Sequence, residues 1–255
     1  MPAVDLSRLD PQPEGFGGCG DCAYRDVGSA GVCFACASEG MDLVGSGHCQ
    51  TCDQRLPASG TCANYWCRRP QTERYFDFIS AIAMRSGVLQ VAINKYKFES
   101  RKGWAAIFGR VLVGYLDENS GVAAGWDAII ASPTFIGPGS RRTWDHISLI
   151  LERTALEAGG RWPIHLDPPM VIKTGDSTSL VGASLAERRR IAETEIRSAL
   201  VVPVPAAVEG RSILVFDDVF TDGSTLREVA RSLLLAGASR VGGIVLARQP
   251  WQTQP

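Results

Sequence analysis

The sequence predicts an α/β protein: a parallel β-sheet flanked by helices, preceded by a small cysteine-rich module. Three observations carry this. Apolar runs such as "RSILVFDD" and "RVGGIVLA" alternate with amphipathic helical segments, and strands apolar throughout belong to parallel sheets covered on both faces. All eight cysteines lie between Cys19 and Cys67. One apolar run, Ile213–Phe216, meets two acids, Asp217 and Asp218, and then a small polar loop, "TDGST", that opens a helix. A chain of 255 residues has room for one medium domain and a small one. The composition puts the boundary near Pro70, giving residues 1–70 and 71–255.

In the first part, "CGDC", "CFAC" and "CQTC" are C-x-x-C pairs and "CANYWC" is a looser one. This spacing lets two thiolates from one tight turn reach a single tetrahedral ion. Eight thiolates make two S4 sites, so two structural Zn2+ ions are expected in a double zinc ribbon. Sequential pairing places Cys19, Cys22, Cys33 and Cys36 at one ion and Cys49, Cys52, Cys62 and Cys67 at the other; interleaved pairing stays open. A disulfide framework and a redox role are the alternatives, weakened by the reducing compartment expected here and by the absence of a surrounding βαβ pattern. His48 reads as a bystander beside Cys49. Full thiolate ligation leaves no open position for water, so the zinc is structural and supplies folding energy to a segment poor in large apolar residues.

Net charge is −1, which gives no overall sign of a nucleic-acid binder. Residues 1–70 hold five Arg and eight Asp or Glu, and thiolate-ligated zinc adds further negative charge. The ribbon is thus expected to dock another protein or its own chain, with single-stranded DNA possible but not favoured by charge. "MPAVDLSRLD" lacks the basic and apolar regions of a signal peptide, and no stretch has the roughly 18 apolar residues of a membrane span. A cytoplasmic protein is expected.

Along the second part, "TERYFDFISAIAMRSG", "GVLQVAINKYKF" and "GWAAIFGRVLVGYL" read as helices by apolar spacing. "WDAIIASP" reads as a buried strand and "TWDHISLILERTALEAGG" as an amphipathic helix closed by glycines. "PPMVIKTG" is a strand candidate. "SLAERRRIAETEIRSAL" opens with a capping box, Ser184 and Glu187. "LVVPVP" is a short or edge strand. "RSILVFDD" is a strand, "STLREVARSLLLAGAS" a helix and "RVGGIVLA" the last strand. Ligands of parallel sheets bind beyond the carboxyl ends of the strands. Asp217, Asp218, the Thr221–Thr225 loop and Ser132-Pro133 all fall there.

The Thr221–Thr225 loop leads from a strand into a helix N-terminus, which offers backbone N–H groups and a positive dipole end to an anion. Gly223 permits close approach, and Thr221, Ser224 and Thr225 add hydroxyls. The loop is not a P-loop, having neither the glycine spacing nor a Lys, which suits a phosphate monoester. Two carboxylates just upstream suit vicinal ribose hydroxyls or Mg2+. One sugar phosphate gripped at two ends reconciles the acids with the anion cradle.

"ILVFDDVFTDGST" resembles the 5-phosphoribosyl-1-diphosphate (PRPP) signature of type I phosphoribosyltransferases. With an N-terminal cysteine ribbon, the chain resembles the ComF family, associated with DNA uptake in transformable bacteria. "NKYKFESR" (Asn94–Arg101), "IIASPTF…SRRTWDH" and "SLAERRRIA" stand where that family has its Lys-Phe segment, diphosphate loop and Arg-rich helix. The resemblance implies a type I phosphoribosyltransferase-like fold. It implies ribose contacts at Asp217 and Asp218, and a 5′-phosphate loop of Thr221, Asp222, Gly223, Ser224 and Thr225. It also implies diphosphate contacts at Ser132, Pro133 and Thr134, with Arg142 and Lys97 countering the charge and Mg2+ held mostly by the ligand. The reaction implied is displacement of diphosphate by an unidentified nitrogen acceptor, where positioning and charge stabilisation matter more than a strong base. Two departures stand out: Asp222 occupies a position where the family often has a hydroxyl residue, and Thr221 stands where hypoxanthine–guanine enzymes carry an acid.

Three functions follow as expectations. One is Mg2+-dependent phosphoribosyl transfer. Another is a ComF-like role in DNA uptake or processing with single-strand binding. The third is PRPP sensing without turnover, with the ribbon docking a partner.

Overall fold

The computed structural model describes residues 34–140 and 142–250. Its centre is a four-stranded, all-parallel sheet in the order β1-β6-β5-β2. The strands are β1 (Ile79–Met84), β2 (Ala128–Ala131), β5 (Ser212–Phe220) and β6 (Arg240–Arg248). Between β2 and β5 in sequence, β3 (Ile172–Lys173) and β4 (Leu200–Val201) pair antiparallel in a separate two-stranded sheet. The helices are α1 (Phe34–Glu39), α2 (Gln71–Arg74), α3 (Gly87–Phe98), α4 (Trp104–Glu118), α5 (His146–Ala158), α6 (Leu185–Ile191), α7 (Arg197–Ala199) and α8 (Ser224–Leu235).

Strand alternation divides the core in two. Leu214 and Phe216 of β5 join Ile82, Ile129, Ile244 and Leu246 in packing against α3, α4 and α5. Ile213 and Val215 point to the other face, with Ile79, Ile130 and Val241, under Leu226, Val229 and Leu233 of α8. The cysteine segment (Cys49, Cys52, Cys62, Trp66) joins this second face. Gly243 on β6 permits the close approach of α8: a Cβ there would fall 2.8 Å from both Leu226 Cδ1 and Ile79 Cδ1.

Both outer strands are covered by irregular chain. On β1, the Ile79 N–H donates to Thr51 O (2.9 Å) and the Met84 N–H to Asp42 O (2.7 Å). The Ala81 N–H donates to Asp53 Oδ2 (2.7 Å). On β2, the Ile129 N–H donates to Pro163 O (2.8 Å), and Ile129 O accepts from the His165 N–H (2.9 Å).

The expected α/β class holds, and the helices expected over "GVLQVAINKYKF", "GWAAIFGRVLVGYL" and "STLREVARSLLLAGAS" form. Three expectations need correction. In the "TERYFDFISAIAMRSG" segment only α2 is helical, and "ISAIAM" is strand β1. A short apolar run buried on both faces has the same periodicity signature as a buried helix. "PPMVIKTG" and "LVVPVP" supply β3 and β4, which pair with each other and not with the parallel sheet. The helix opened by Ser184, whose Oγ accepts from the Glu187 N–H, forms as expected, running without a break through α6, a π-helical turn over Ala192–Ile196, and α7. Finally, β5 does not stop at the acids: Asp217 and Asp218 lie inside it, and it ends at Phe220. Among the described residues no helix is long and apolar enough to cross a membrane.

Candidate functional site

The carboxyl ends of β2 and β5 open into a cleft of about 890 Å3. It is bordered by α3, the N-termini of α5 and α8, and the 176–182 loop. The structure brings Lys97, Ser132, Pro133, Thr134, Arg142, Asp217, Asp218 and the whole Thr221–Thr225 loop to its walls. Arg141 lies outside the described residues.

At the acid end, the two adjacent carboxylates have opposite environments. Asp218 is buried, and Lys97, in the last turn of α3, places Nζ 2.7 Å from its Oδ2. His146 Nε2 lies 3.2 Å from the same oxygen. Burial alone would raise the Asp218 pKa, but Lys97 and His146 outweigh it and hold the carboxyl well below the usual range. Asp217 is half-buried, and its Oδ1 accepts the Asp218 N–H at 2.9 Å. Burial and the neighbouring Asp218 charge push its carboxyl up to about 7, against weaker help from Lys97 and Ser132.

His146 is the residue that the sequence reading missed. A single His after "TWD" has no spacing signal. Its place is fixed by the fold: Asp145 caps α5 by accepting from the Ile147 and Ser148 N–H groups (3.1 and 3.0 Å), and Tyr96 OH donates to the His146 carbonyl at 2.6 Å. Burial lowers the His146 pKa against the pull of Asp218. Its Nε2 faces the carboxylate, while Nδ1 is buried without a hydrogen-bond partner among the described residues.

At the other end lies the loop. Gly223 takes φ +94, and a Cβ there would sit 2.6 Å from Phe220 Cζ, so conformation and space both require glycine. Three consecutive carbonyls of this turn are held from behind. Arg248 Nη1 donates to Phe220 O (3.1 Å) and Thr221 O (2.6 Å), and Asn64 Nδ2 donates to Asp222 O (3.1 Å). A trans peptide unit directs its N–H opposite its carbonyl, so the N–H groups of Thr221, Asp222 and Gly223 face away from Arg248 and Asn64. Among the described residues, no backbone N–H from Thr221 to Thr225 has a hydrogen-bond acceptor, and no side chain caps α8. Unpaired N–H groups at the start of a twelve-residue helix form a nest for an anion. The Asp222 carboxylate accepts from the Ser224 hydroxyl, and both residues are buried. That bond occupies the one acid in the cradle, and Ser224 is left to contribute its backbone N–H.

The sulfurs of Cys49, Cys52, Cys62 and Cys67 lie within 4.8 Å of one another, on the sequential pairing. Sulfurs about 2.3 Å from a tetrahedral ion sit roughly 3.8 Å apart; Cys52 Sγ and Cys62 Sγ are 3.7 Å apart, and all four cysteines are free thiols. The cluster fits a zinc ion, which would tie the two turns together. His48 stands outside it, with Nδ1 2.9 Å from Gly45 O. Cys19, Cys22, Cys33 and the Cys36 side chain lie outside the described residues. Beside the cluster, a second hollow of about 170 Å3 is lined by Asn64, Tyr65, Trp66, Arg68, Leu185, Arg189 and Asp222. The Arg189 and Arg69 guanidinium groups lie 4.3 and 4.6 Å from the Tyr65 ring centre.

No protein-family model matches this chain. It is similar to the protein named DNA utilization protein YhgH of Escherichia coli O157:H7, at 25% identity over 221 residues, covering 84% of this chain and 89% of that one. The protein of the same name from Escherichia coli O6:H1 is 26% identical over the same coverage.

Proposed function

We propose that this is a ComF-like protein of DNA uptake and processing, whose α/β domain grips the sugar phosphate of a nucleotide or a single strand. The observation that carries the reading is the row of unpaired N–H groups at Thr221–Thr225. It occurs in a chain similar over 84% of its length to proteins named for DNA utilisation. Local charge supports a single strand better than net charge does. Tyr65, Arg68, Arg69 and Arg189 cluster beside the second hollow, and aromatic rings among guanidinium groups suit bases and phosphates. Fluorescence anisotropy with a labelled single-stranded oligonucleotide tests this. Binding is expected to weaken steeply with salt, log affinity falling linearly against log salt. No binding at low salt and high micromolar protein would remove the reading.

A second reading is Mg2+-dependent phosphoribosyl transfer to a nitrogen acceptor with release of diphosphate. It is favoured by the acid pair and the loop sharing one cleft with Ser132, Pro133, Thr134, Arg142 and Lys97. The loop would take the 5-phosphate, Asp217 and Asp218 the ribose hydroxyls, and Arg142 and Lys97 the diphosphate, with Lys97 leaving Asp218 as the ligand arrives. A PRPP sensor with a partner docked on its ribbon would bind without turnover. Titrating PRPP with and without Mg2+, on wild type and on Asp217→Asn and Asp218→Asn, separates these from the first reading; undetectable binding at millimolar PRPP ends both. Zinc analysis is expected to give two ions per chain.

A further inference from the structure

Two buried side chains connect the cysteine cluster to the phosphate loop. Asn64 lies between Cys62 and Cys67 and is fully buried. Its Oδ1 accepts the Trp66 N–H at 3.0 Å inside the cysteine segment, while Nδ2 donates to Asp222 O at 3.1 Å across 158 residues of sequence. Arg248 ends β6 and is also fully buried. Its Nε donates to Cys52 O at 2.8 Å, and its Nη1 holds Phe220 O, Thr221 O and Gln249 O. Arg248 Nη2 lies 3.7 Å from Cys52 Sγ.

The charge of Arg248 makes this link specific. A guanidinium stays protonated in proteins, and a buried one needs a counter-charge. Among the described residues no carboxylate stands within ion-pair distance of it. The nearest candidate is the Cys52 sulfur, and four thiolates around one divalent ion carry net negative charge. A metal–thiolate centre there would balance Arg248 together with the more distant Asp53 carboxylate, and Arg248 in turn fixes the carbonyls that leave the loop's N–H groups pointing outward.

We propose that the Cys49–Cys52–Cys62–Cys67 centre sets the conformation of the Thr221–Gly223 turn through Asn64 and Arg248 as positioning residues, so that metal occupancy and anion affinity are coupled. The coupling to affinity rests on the reading that the loop takes a phosphate; the coupling to loop conformation does not.

The test uses full-length protein, with the backbone amide signals of Thr221, Asp222 and Gly223 followed by NMR and ribose 5-phosphate as the probe. Zinc-loaded wild type is compared with chelator-stripped wild type and with Asn64→Asp, which keeps the acceptor for Trp66 but removes the donor to Asp222. Stripping and Asn64→Asp should each move the three loop signals and leave Gly159, beyond α5, in place. Each should also weaken ribose 5-phosphate by about tenfold, as loss of a buried positioning hydrogen bond implies. Loop signals unmoved in both samples would overturn the proposal, as would moved signals with unchanged affinity. If stripping unfolds the chain, Asn64→Asp with its zinc content intact decides. Absence of ribose 5-phosphate binding to wild type would defeat the phosphate reading, while the loop signals would still decide the conformational coupling.

Discussion

The two ends of the cleft are prepared in opposite ways. At the acid end, Asp218 already has a cation, Lys97 Nζ at 2.7 Å, and His146 Nε2 stands 3.2 Å from the same oxygen. At the loop end, the N–H groups of Thr221–Thr225 have no acceptor among the described residues. One end carries an ion pair of its own, and the other presents donors that have no partner. The adjacency of acids and anion cradle in "DDVFTDGST" is therefore no conflict: Asp218 is screened by its own partners, and Asp222 is bonded to Ser224.

The sharpest way to break this contrast is Asp218→Ala. It leaves Lys97 and His146 around an empty position, and breaking a buried pair from one side costs about 3–5 kcal/mol. Thermal denaturation should show a Tm lowered by roughly 2–4 °C per kcal/mol, with part of the loss recovered in the Lys97→Ala/Asp218→Ala double variant. A Tm like that of wild type would mean that the acid end is not held by these two partners.

Gly223→Ala attacks the loop end. The +94° φ and the 2.6 Å approach to Phe220 imply strain of about 1–3 kcal/mol. Ribose 5-phosphate affinity, measured by calorimetry, should fall about tenfold or more while the far-ultraviolet circular dichroism is kept. Unchanged affinity would separate the turn from anion binding.

Asp217 distinguishes the acids from each other. Its carboxyl is raised to about 7, so between pH 4 and 7 the folded chain holds a proton that the unfolded chain releases. Stability from this group is therefore lost as pH rises through that window. Asp217→Asn lacks the slope, and its Tm advantage over wild type should grow by about a few degrees from pH 5 to pH 8. A gap that shrinks with rising pH would place the raised carboxyl elsewhere. The smallest expected effect is at the second hollow, where Tyr65→Ala should lower single-strand affinity by about 1 kcal/mol, read by anisotropy at fixed salt.

Local chemistry was legible in the sequence, and long-range pairing was not. The spacing of Cys49, Cys52, Cys62 and Cys67, the capping Ser184, and the strand–acid–loop–helix order of Ile213–Thr225 are signals within a few residues, and each marks a feature present in the fold. "ISAIAM" failed as a helix because burial on both faces erases the period that distinguishes strand from helix. His146 carried no local signal, since it meets Asp218 only when α5 is laid beside β5. Asn64 and Arg248 were invisible for the same reason: their partners are 158 and up to 196 residues away. A buried Arg at the end of an apolar strand looks like an ordinary strand terminus until its acceptors are in place.

The cover on β1 has a consequence of its own. Thr51 and Asp53, which take N–H groups from that strand, flank Cys52 of the thiol cluster. An uncovered strand edge is a template for pairing with another chain. Were these thiols to hold an ion and lose it, loosening of this segment would expose β1 as such a template, and self-association would be the expected sign. The ribbon is thus also the device that keeps the sheet from growing past its own border.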